Sequence, residues 1–509
     1  MKQLRDSGIL IGLMGIATAL AACPASLDDR CTDGACIPGG NTGDGGSSDG
    51  RDADAPDAVA PDDCNEKADA SSPEAKGCIV DSFALFVDGA TGDDTNDGTK
   101  AKPFKTISAA IAKVPSAGKR RIYVCGEGPY AEHVKVTTAA NVFGGFSCSS
   151  WAPDPGIKTK VAPTDTGYAL HVDGVTAAVR FEDIGFESVP GTDASPSSIA
   201  AFVASSPNVT LKRVELKASA GFTSAPGNSG TMGQPNQDPN GNNGSATAGG
   251  DAKTCSCSFG SSTTGGRGGN TQGTDIGGES GKPSIAPPVP STATGAGSPR
   301  AECEGGTGNG KRGSDAPAAA FAARPAVGSL DSTGWHPGDG AKGTNGVPGQ
   351  GGGGGGSYTI GAAGQNGGGG GGACGGCGGG GGDGGKGGGA SIALLAFSSP
   401  VTLKASTLSA ALAGNGAQGR DGGAGASGGT RGNGGNSACA GGNGGNGGKG
   451  GAGAGGAGGV SAAILHKGGA PLNEGSSLKH GAKGAFGEGG KSPENDGPDG
   501  LEGESVEAP

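Results

Sequence analysis

The chain is poor in the large side chains that fill hydrophobic cores. Only 4% of its 509 residues are aromatic, and methionine occurs 3 times. Length alone would allow about three or four domains of ordinary size. However, ordering the backbone costs about 1–2 kcal/mol per residue, and buried apolar surface has to offset much of that. The composition therefore excludes a string of ordinary globular domains.

Other absences exclude whole classes of partner. The formal net charge is −11, so the chain lacks the basic surface that attracts nucleic acids. Its 5 histidines show no spacing typical of metal ligands. The pattern GxGxxG occurs many times, but never between a predicted strand and a predicted helix, where it would bind a phosphate. We therefore expect neither nucleic acid nor nucleotide as a partner.

Glycine is the residue in excess. It accounts for 116 of the 509 residues, whereas an average protein contains about 7%. The 31 prolines lie mostly outside the glycine runs. This distribution excludes conventional collagen, in which proline accompanies the repeated glycine.

The N-terminus has the features of an export signal. Lys2 and Arg5 precede an uncharged, mainly apolar segment at 8–22, which is short for a membrane-spanning helix. Residues 20–23 (LAAC) resemble a bacterial lipobox, in which the new N-terminal Cys23 is acylated. Each buried CH₂ of an acyl chain contributes about 0.8 kcal/mol of membrane affinity. The sequence thus predicts a cell-envelope lipoprotein of the outer membrane, surface-exposed or periplasmic; an ordinary signal peptide is the alternative.

The number of cysteines agrees with an oxidising compartment. Assigning Cys23 to lipidation leaves an even number of the 13 cysteines, as disulfide formation requires. Disulfide candidates are the local pairs Cys31 and Cys36, Cys64 and Cys78, and Cys125 and Cys148, together with Cys374 and Cys377. Spacing does not fix connectivity. The motifs CSC at 255–257 and CGGC at 374–377 leave open a four-thiolate zinc site as the alternative to disulfides.

The middle of the chain is predicted to be all-β. Residues 81–222 hold most of the aromatic residues, and apolar residues alternate with polar ones in short runs. One short amphipathic helix is predicted from the apolar positions Ile107, Ala110, Ile111 and Val114.

An internal repeat indicates the architecture. Residues 198–212 (SIAAFVASSPNVTLK) recur at 391–404 (SIALLAFSSPVTLK), and weaker copies begin at Tyr168 and Val460. Two or three short strands per repeat are typical of a solenoid, in which each coil stacks its apolar face on the next. The glycine-rich stretches between copies are then expected to be loops that leave the stack on one side. Loops of this length are tolerated because the entropic cost of closing a loop rises only slowly with its length.

The sequence therefore divides into the following segments: a lipoprotein signal peptide at 1–22; an acidic Asp/Ala/Pro/Gly tether, flexible by composition, at 23–80; strands with a capping helix at 81–220; a glycine-rich insert at 221–390; a coil at 391–412; a GGX insert at 413–459; a coil at 460–486; and an acidic tail, expected to be disordered, at 487–509.

The beginning of the strand region resembles a known family. Residues 86–89 (FVDG), 92–98 (GDDTNDG) and 102–107 (KPFKTI) are similar to the opening of bacterial right-handed parallel β-helix proteins of the pectin-lyase-like type. The resemblance covers about 81–220 and parts of the later repeats, and it implies that the short helix caps one end of the β-helix. With its lipobox, tether and inserts, the chain also resembles glycine-rich surface lipoproteins of myxobacteria, some of which carry names borrowed from the mycobacterial PE-PGRS family.

Within the inserts, glycine keeps a three-residue period. It occupies every third position from Gly441 to Gly459, and a second glycine joins most of those triplets. A left-handed extended helix has three residues per turn and no internal hydrogen bonds, so its backbone pairs with neighbouring strands or water. Two glycines per turn would allow the close approach of a polyglycine-II bundle; a solvated, flexible loop is the alternative.

The candidates for chemistry are weak. Asp93, Asp94, Asn96 and Asp97 offer oxygen ligands for calcium, but their loop does not match the EF-hand pattern. A hydrogen-bonded turn is the alternative interpretation. No other cofactor is indicated.

The family resemblance suggests where a polysaccharide lyase would act. Such enzymes use an acidic calcium cluster and an Arg or Lys base on one outer face. Residues of these types are Asp173, Glu182, Asp183, Arg180, Lys212 and Arg213. The alternative is a solvated face of mixed charge. His171 and Asp173 alternate on the same strand and are interpreted as exposed polar residues.

The function expected from the sequence is non-enzymatic. It is that of a lipid-anchored surface protein with a structural or adhesive role, or one that contacts glycans or extracellular matrix. No catalytic residue is assigned. A polysaccharide lyase or glycoside hydrolase is the alternative, and it rests on fold analogy alone.

Overall fold

A computed structural model describes residues 64, 77–273, 276–283, 303, 307–359 and 366–509. The predicted signal peptide, Cys23, Cys31 and Cys36 lie outside the described residues, as does most of the tether at 23–80.

Among the described residues, the regular secondary structure is almost entirely strand, which confirms the all-β class. It contains one helix, α1 (Ile107–Ala117). The strands are β1 (Ala84–Asp88), β2 (Arg121–Cys125), β3 (Val134–Val136), β4 (Asn141–Phe146), β5 (Thr159–Val161), β6 (Leu170–Asp173), β7 (Val179–Glu182), β8 (Ile184–Glu187), β9 (Ser198–Ala204), β10 (Val209–Lys212), β11 (Glu215–Ala218), β12 (Lys253–Ser256), β13 (Ser262–Gly265), β14 (Gly328–Asp331), β15 (Gly334–Pro337), β16 (Ser391–Phe397), β17 (Thr402–Lys404), β18 (Thr407–Ala410), β19 (Ser461–Lys467), β20 (Leu472–Glu474), β21 (Ser477–Lys479) and β22 (Glu502–Glu507).

Eighteen of these strands form three parallel sheets. Sheet 1 has the order β1-β2-β4-β7-β10-β17-β20, sheet 2 has the order β5-β8-β11-β18-β21, and sheet 3 has the order β3-β6-β9-β16-β19-β22. From β6 to β11, and again from β16 to β22, the chain visits sheets 3, 1 and 2 in rotation. The other four strands form the antiparallel hairpins β12–β13 and β14–β15.

The two strong copies of the repeat are neighbours in space. In sheet 3, Ser198 of β9 pairs with Ser391 of β16, and Ile199 pairs with Ile392. In sheet 1, the same register aligns β10 with β17. The sequence repeat thus corresponds to an in-register pairing across the long insert.

Inward side chains stack into one apolar core. Pairing in sheet 1 aligns Phe181, Leu211 and Leu403 on adjacent strands, and all three are fully buried. Burying a side chain of this size stabilises the fold by about 1.5–3 kcal/mol. Because strands lie about 4.8 Å apart, each strand's apolar residue is in contact with its counterparts above and below.

Helix α1 packs its apolar face against one end of this core. It begins after Thr106, whose side chain accepts a hydrogen bond from the Ala109 amide, and it ends at Gly118 in the left-handed conformation (φ 67°). The buried positions are the four that the sequence predicted: Ile107, Ala110, Ile111 and Val114.

The glycine-rich excursions leave the sheets at one corner. Each of the three follows a strand of sheet 2 (β11, β18 or β21) and precedes a strand of sheet 3 (β16, β19 or β22). Their backbones hydrogen-bond to one another, and we call this region the glycine bundle; its main segments are 221–245, 310–326, 338–356, 367–389, 412–435, 439–459 and 481–500.

Hydrogen bonds in the bundle follow the three-residue period. Every third amide of one segment donates to its neighbour: Gly340 to Gly385, Gly343 to Gly382, Gly346 to Gly379 and Gly349 to Gly376. Successive amides point to different neighbours, since Gly380 donates to Thr231, Gly381 to the Asn345 side chain and Gly382 to Gly451. The interpretation of the inserts as solvated loops is therefore wrong for the described residues.

Close backbone packing explains why two residues of each triplet are glycine. A Cβ atom on Gly381 would lie 1.8 Å from the Gly343 carbonyl oxygen, and one on Gly382 would lie 2.0 Å from that of Arg420. The third position carries side chains outward, as the part-buried Asp383 and the exposed Lys386 do. Only glycine allows backbones to approach so closely.

The acidic C-terminus differs from the expectation of disorder. β22 pairs in parallel with β19 and aligns Glu502 with Ser461 and Val506 with Leu465. Val506 also packs against an apolar cluster on the outer face of sheet 3. The open edge of β19 supplies hydrogen-bond partners, and this opportunity is not visible in the acidic composition of the tail.

Among the described residues, no helix has the length and hydropathy needed to cross a bilayer.

We predict that Gly382→Ala destabilises the protein while Ser427→Ala does not. The alanine methyl group at 382 would overlap the Arg420 carbonyl, and overpacking of this kind costs about 1–3 kcal/mol. Ser427 is an exposed third-position residue in the same bundle. The Ser427→Ala change should therefore alter the protein's free energy of unfolding by less than about 0.5 kcal/mol. Urea unfolding of both full-length variants measures the difference; equal midpoints would contradict close packing at Gly382.

Candidate functional site

A cluster of charged residues lies where sheet 1 turns toward sheet 2. Asp183 directly follows β7 and Arg213 directly follows β10, and both adopt left-handed backbone conformations (φ 53° and 51°). Because Glu182 and Lys212 are paired across these strands, the two corner residues are neighbours. The same corner recurs one strand later at Ala405 (φ 46°).

The charges in this cluster neutralise one another. Arg213 Nη2 donates to Glu182 Oε2 at 2.9 Å, and its Nε and Nη2 donate to the two Asp183 oxygens at 2.8 and 2.7 Å. Arg180 forms a second ion pair with Glu182, whose side chain is fully buried. An arginine that bridges two carboxylates is poorly suited to act as a base.

The remaining residues suggested for a lyase belong to different sheets. Asp173 ends β6 in sheet 3, whereas Glu182, Arg180 and Lys212 belong to sheet 1. The alternative interpretation of these residues as a solvated face of mixed charge is wrong for Glu182, which is fully buried and paired with Arg180 and Arg213.

Two adjoining cavities lie along this corner, with volumes of about 470 and 430 Å³. Both are lined by Lys158 and Arg213. Nearby, Glu187 pairs with Lys217 at 2.6 Å and Lys160 at 3.3 Å. These hydrogen bonds, chiefly the one from Lys217, lower the pKa of Glu187. The resulting surface is a shallow groove bordered by ion pairs.

The loop with the candidate calcium ligands forms a hydrogen-bonded turn, which is the other interpretation that the sequence allowed. Asp93 accepts bonds from the amide and hydroxyl of Thr95, Asp94 accepts bonds from the amides of Lys105 and Thr106, and the Asn96 side chain donates to the Pro103 carbonyl. Bonds from Thr95 and Thr99 lower the pKa values of Asp93 and Asp97. These oxygens point to local donors rather than toward one centre.

Across the described part of the chain, one set of three residues has ligand atoms close enough for a metal: Asp88, Cys125 and Cys148. The two cysteines are joined to each other as a disulfide. Metal binding needs thiolates, so this set is not a metal centre.

Five disulfides are present among the described residues. The predicted local pairs Cys64–Cys78 and Cys125–Cys148 are formed. Cys255 pairs with Cys374 and Cys257 with Cys377, so the four-thiolate zinc alternative is wrong. Cys303–Cys439 was not predicted from the sequence.

An aromatic cavity on sheet 3 was missed by sequence reasoning. Hairpin β14–β15 covers part of the outer face of sheet 3, where Leu330 and Trp335 pack on β9, β16 and β19 side chains. Beside it lies a cavity of about 270 Å³, the hairpin pocket, whose lining includes Tyr168, Ser195, Pro196, Ser197, Trp335 and Pro337. Its parts come from distant positions of the chain, and no local motif marks them.

Aromatic stacking orders the surroundings of the hairpin pocket. The Tyr168 ring lies 5.0 Å from Phe202 and 5.3 Å from His171, and His171 stacks on Phe202 at 5.1 Å. Burial lowers the pKa of His171 and raises that of Tyr168. His171 is therefore half-buried in an aromatic cluster, which corrects its interpretation as an exposed polar residue.

We predict that Arg213→Met strongly destabilises the protein while Lys217→Met has a small effect. Removing Arg213 takes one positively charged partner from the buried Glu182 carboxylate. Breaking a buried ion pair costs about 3–5 kcal/mol of stability. The Lys217–Glu187 pair is half-exposed, and such pairs contribute less than about 1 kcal/mol. Urea unfolding at neutral pH compares the two; an equally small effect of both changes would contradict a structural role for Arg213.

Comparison with family models, curated proteins and solved structures found no match to this chain.

Proposed function

We propose that the three parallel sheets form a right-handed β-helix and that the glycine bundle is of the polyglycine-II type. The chain's rotation through sheets 3, 1 and 2 supports a β-helix, and the right hand is the one that connections between parallel strands adopt. Hydrogen bonds from every third amide, with successive amides directed to different neighbours, support the second. The pairing of β9 with β16 supports glycine excursions that leave one side of such a stack.

We infer that the protein is a non-enzymatic, lipid-anchored surface protein with a structural or adhesive role toward glycans or matrix. The observation that carries this proposal is the mutual neutralisation of Glu182, Asp183, Arg180 and Arg213. The residue types that a lyase would need are engaged in structural ion pairs. Membrane attachment rests on the LAAC motif at Cys23, and the protein would belong to the cell envelope.

A glycan panel tests the non-enzymatic role. Full-length protein is incubated with acidic and neutral polysaccharides, with calcium and with a chelator, and products are measured by chromatography and by ultraviolet absorbance. We expect binding of at least one polysaccharide without shortening of its chains. Depolymerised product from wild-type protein would instead support the lyase alternative.

Lipid attachment is tested at Cys23. We predict that Cys23→Ser abolishes incorporation of a labelled fatty acid and moves the protein from the detergent phase to the aqueous phase, because acyl chains supply the membrane affinity. Cys31→Ser is the matched control and should keep the label. Retention of the label in Cys23→Ser would contradict the lipobox interpretation.

A further inference from the structure

The walls of the hairpin pocket are uncharged and partly apolar. Tyr168 and Trp335 contribute aromatic surface, and Pro196 and Pro337 contribute rigid aliphatic surface. No Asp, Glu, Lys, Arg or His is among its lining residues. A ligand with a net charge would therefore lose its hydration without gaining an ionic partner.

Hydrogen-bonding groups lie among these apolar walls. Ser197 Oγ accepts a bond from the Ala390 amide at 3.0 Å, which leaves its own hydrogen available to donate. The Tyr168 hydroxyl is 3.5 Å from the Thr333 carbonyl oxygen, a distance too long for a strong hydrogen bond. Ser195 adds a hydroxyl to the lining.

Trp335 contributes ring carbons to the pocket wall, because its indole nitrogen is fully buried. Trp335 is 7% exposed, and its Nε1 has no hydrogen-bond partner among the described residues. Buried indole N–H groups usually have a partner, and an unsatisfied buried donor costs about 1–3 kcal/mol.

The size of the pocket limits its occupant. Its volume of about 270 Å³ is just below the range of about 300–1,000 Å³ typical of drug-sized ligands. A single ring fits this description better than an extended chain segment.

The hairpin is held in a defined shape, since Asp331 accepts hydrogen bonds from Thr333 and His336. These bonds lower the pKa of Asp331 to about 2.

We propose that the hairpin pocket binds one neutral pyranose ring of a glycan. A pyranose has an apolar C–H face that can pack on Tyr168 or Trp335 and hydroxyl groups that can bond with Ser195 and Ser197. The site combines sheet 3 with a hairpin from the glycine-rich insert, so the insert completes it. This inference rests on the proposed glycan-contacting function and assigns that contact to one place.

Intrinsic fluorescence provides the test, because the chain has 2 tryptophans. In full-length Trp151→Phe protein, Trp335 is the only tryptophan, so any change in tryptophan fluorescence comes from Trp335. The protein is titrated with the methyl glycosides of glucose, galactose and mannose, and with methyl glucuronide as the charged analogue. We expect a saturable change with at least one neutral glycoside and binding about tenfold weaker for the glucuronide.

Two variants alter the pocket while keeping the reporter. Ser195→Phe fills it, and Tyr168→Ala removes one wall; each should weaken binding about tenfold or more. Tyr358→Ala is the matched control, because Tyr358 is half-buried and does not line the pocket. Circular dichroism and urea midpoints establish that each variant is folded. If one variant does not fold, the other still tests the pocket.

The outcomes separate the pocket from the proposed function. Absence of a fluorescence response to every neutral glycoside, preference for the glucuronide, or unchanged binding in both folded variants would overturn the pocket proposal. Polysaccharide binding by wild-type protein would then still support the surface role. Conversely, depolymerisation of the glycan panel would overturn the non-enzymatic function regardless of what occupies the pocket.

Discussion

Hydrogen bonding between neighbouring extended backbones is the interaction on which both parts of the molecule depend. In the sheets, it joins strands in parallel and brings like side chains into register, as with Phe181, Leu211 and Leu403. In the glycine bundle, it joins segments that have almost no side chains to pack. A single hydrogen bond contributes only about 0.5–1.5 kcal/mol net. The bundle therefore requires many such bonds at once, which in turn requires backbones close enough to form them.

The two parts also share a register. Gly221 donates to the Leu412 carbonyl and Ala413 to that of Ala482, so the excursions are stacked from their first residues. At their other ends, Ser198 donates to Ala390, Ser391 to Val460 and Ser461 to Leu501. The strands of the sheets thus fix the entry and exit of each excursion. The disulfides Cys255–Cys374, Cys257–Cys377 and Cys303–Cys439 join segments that are 119, 120 and 136 residues apart, and loops of this length gain most from a covalent link.

Features encoded by local periodicity were predictable from the sequence, and features that depend on long-range contacts were not. The face of α1 follows from helical spacing, and the pairing of β9 with β16 follows from the repeat. In contrast, β22 depends on the edge that β19 offers. The hairpin pocket joins Tyr168 to Trp335, and no sequence pattern relates positions so far apart. Cross-pairing of the CSC and CGGC motifs likewise depends on which segments the bundle brings together.

The two ends of sheet 1 differ in what lies against the core. An open strand edge can pair with another chain. At one end, α1 covers the core with Ile107 and Ile111. At the other end, the position aligned with the buried Leu403 is Asn473, whose side chain bonds to the amide and carbonyl of Ser476. A polar residue in this position makes further stacking unfavourable, because an added strand would have to desolvate it. In sheet 1, the core is therefore covered by a helix at one end and ends in a polar turn at the other.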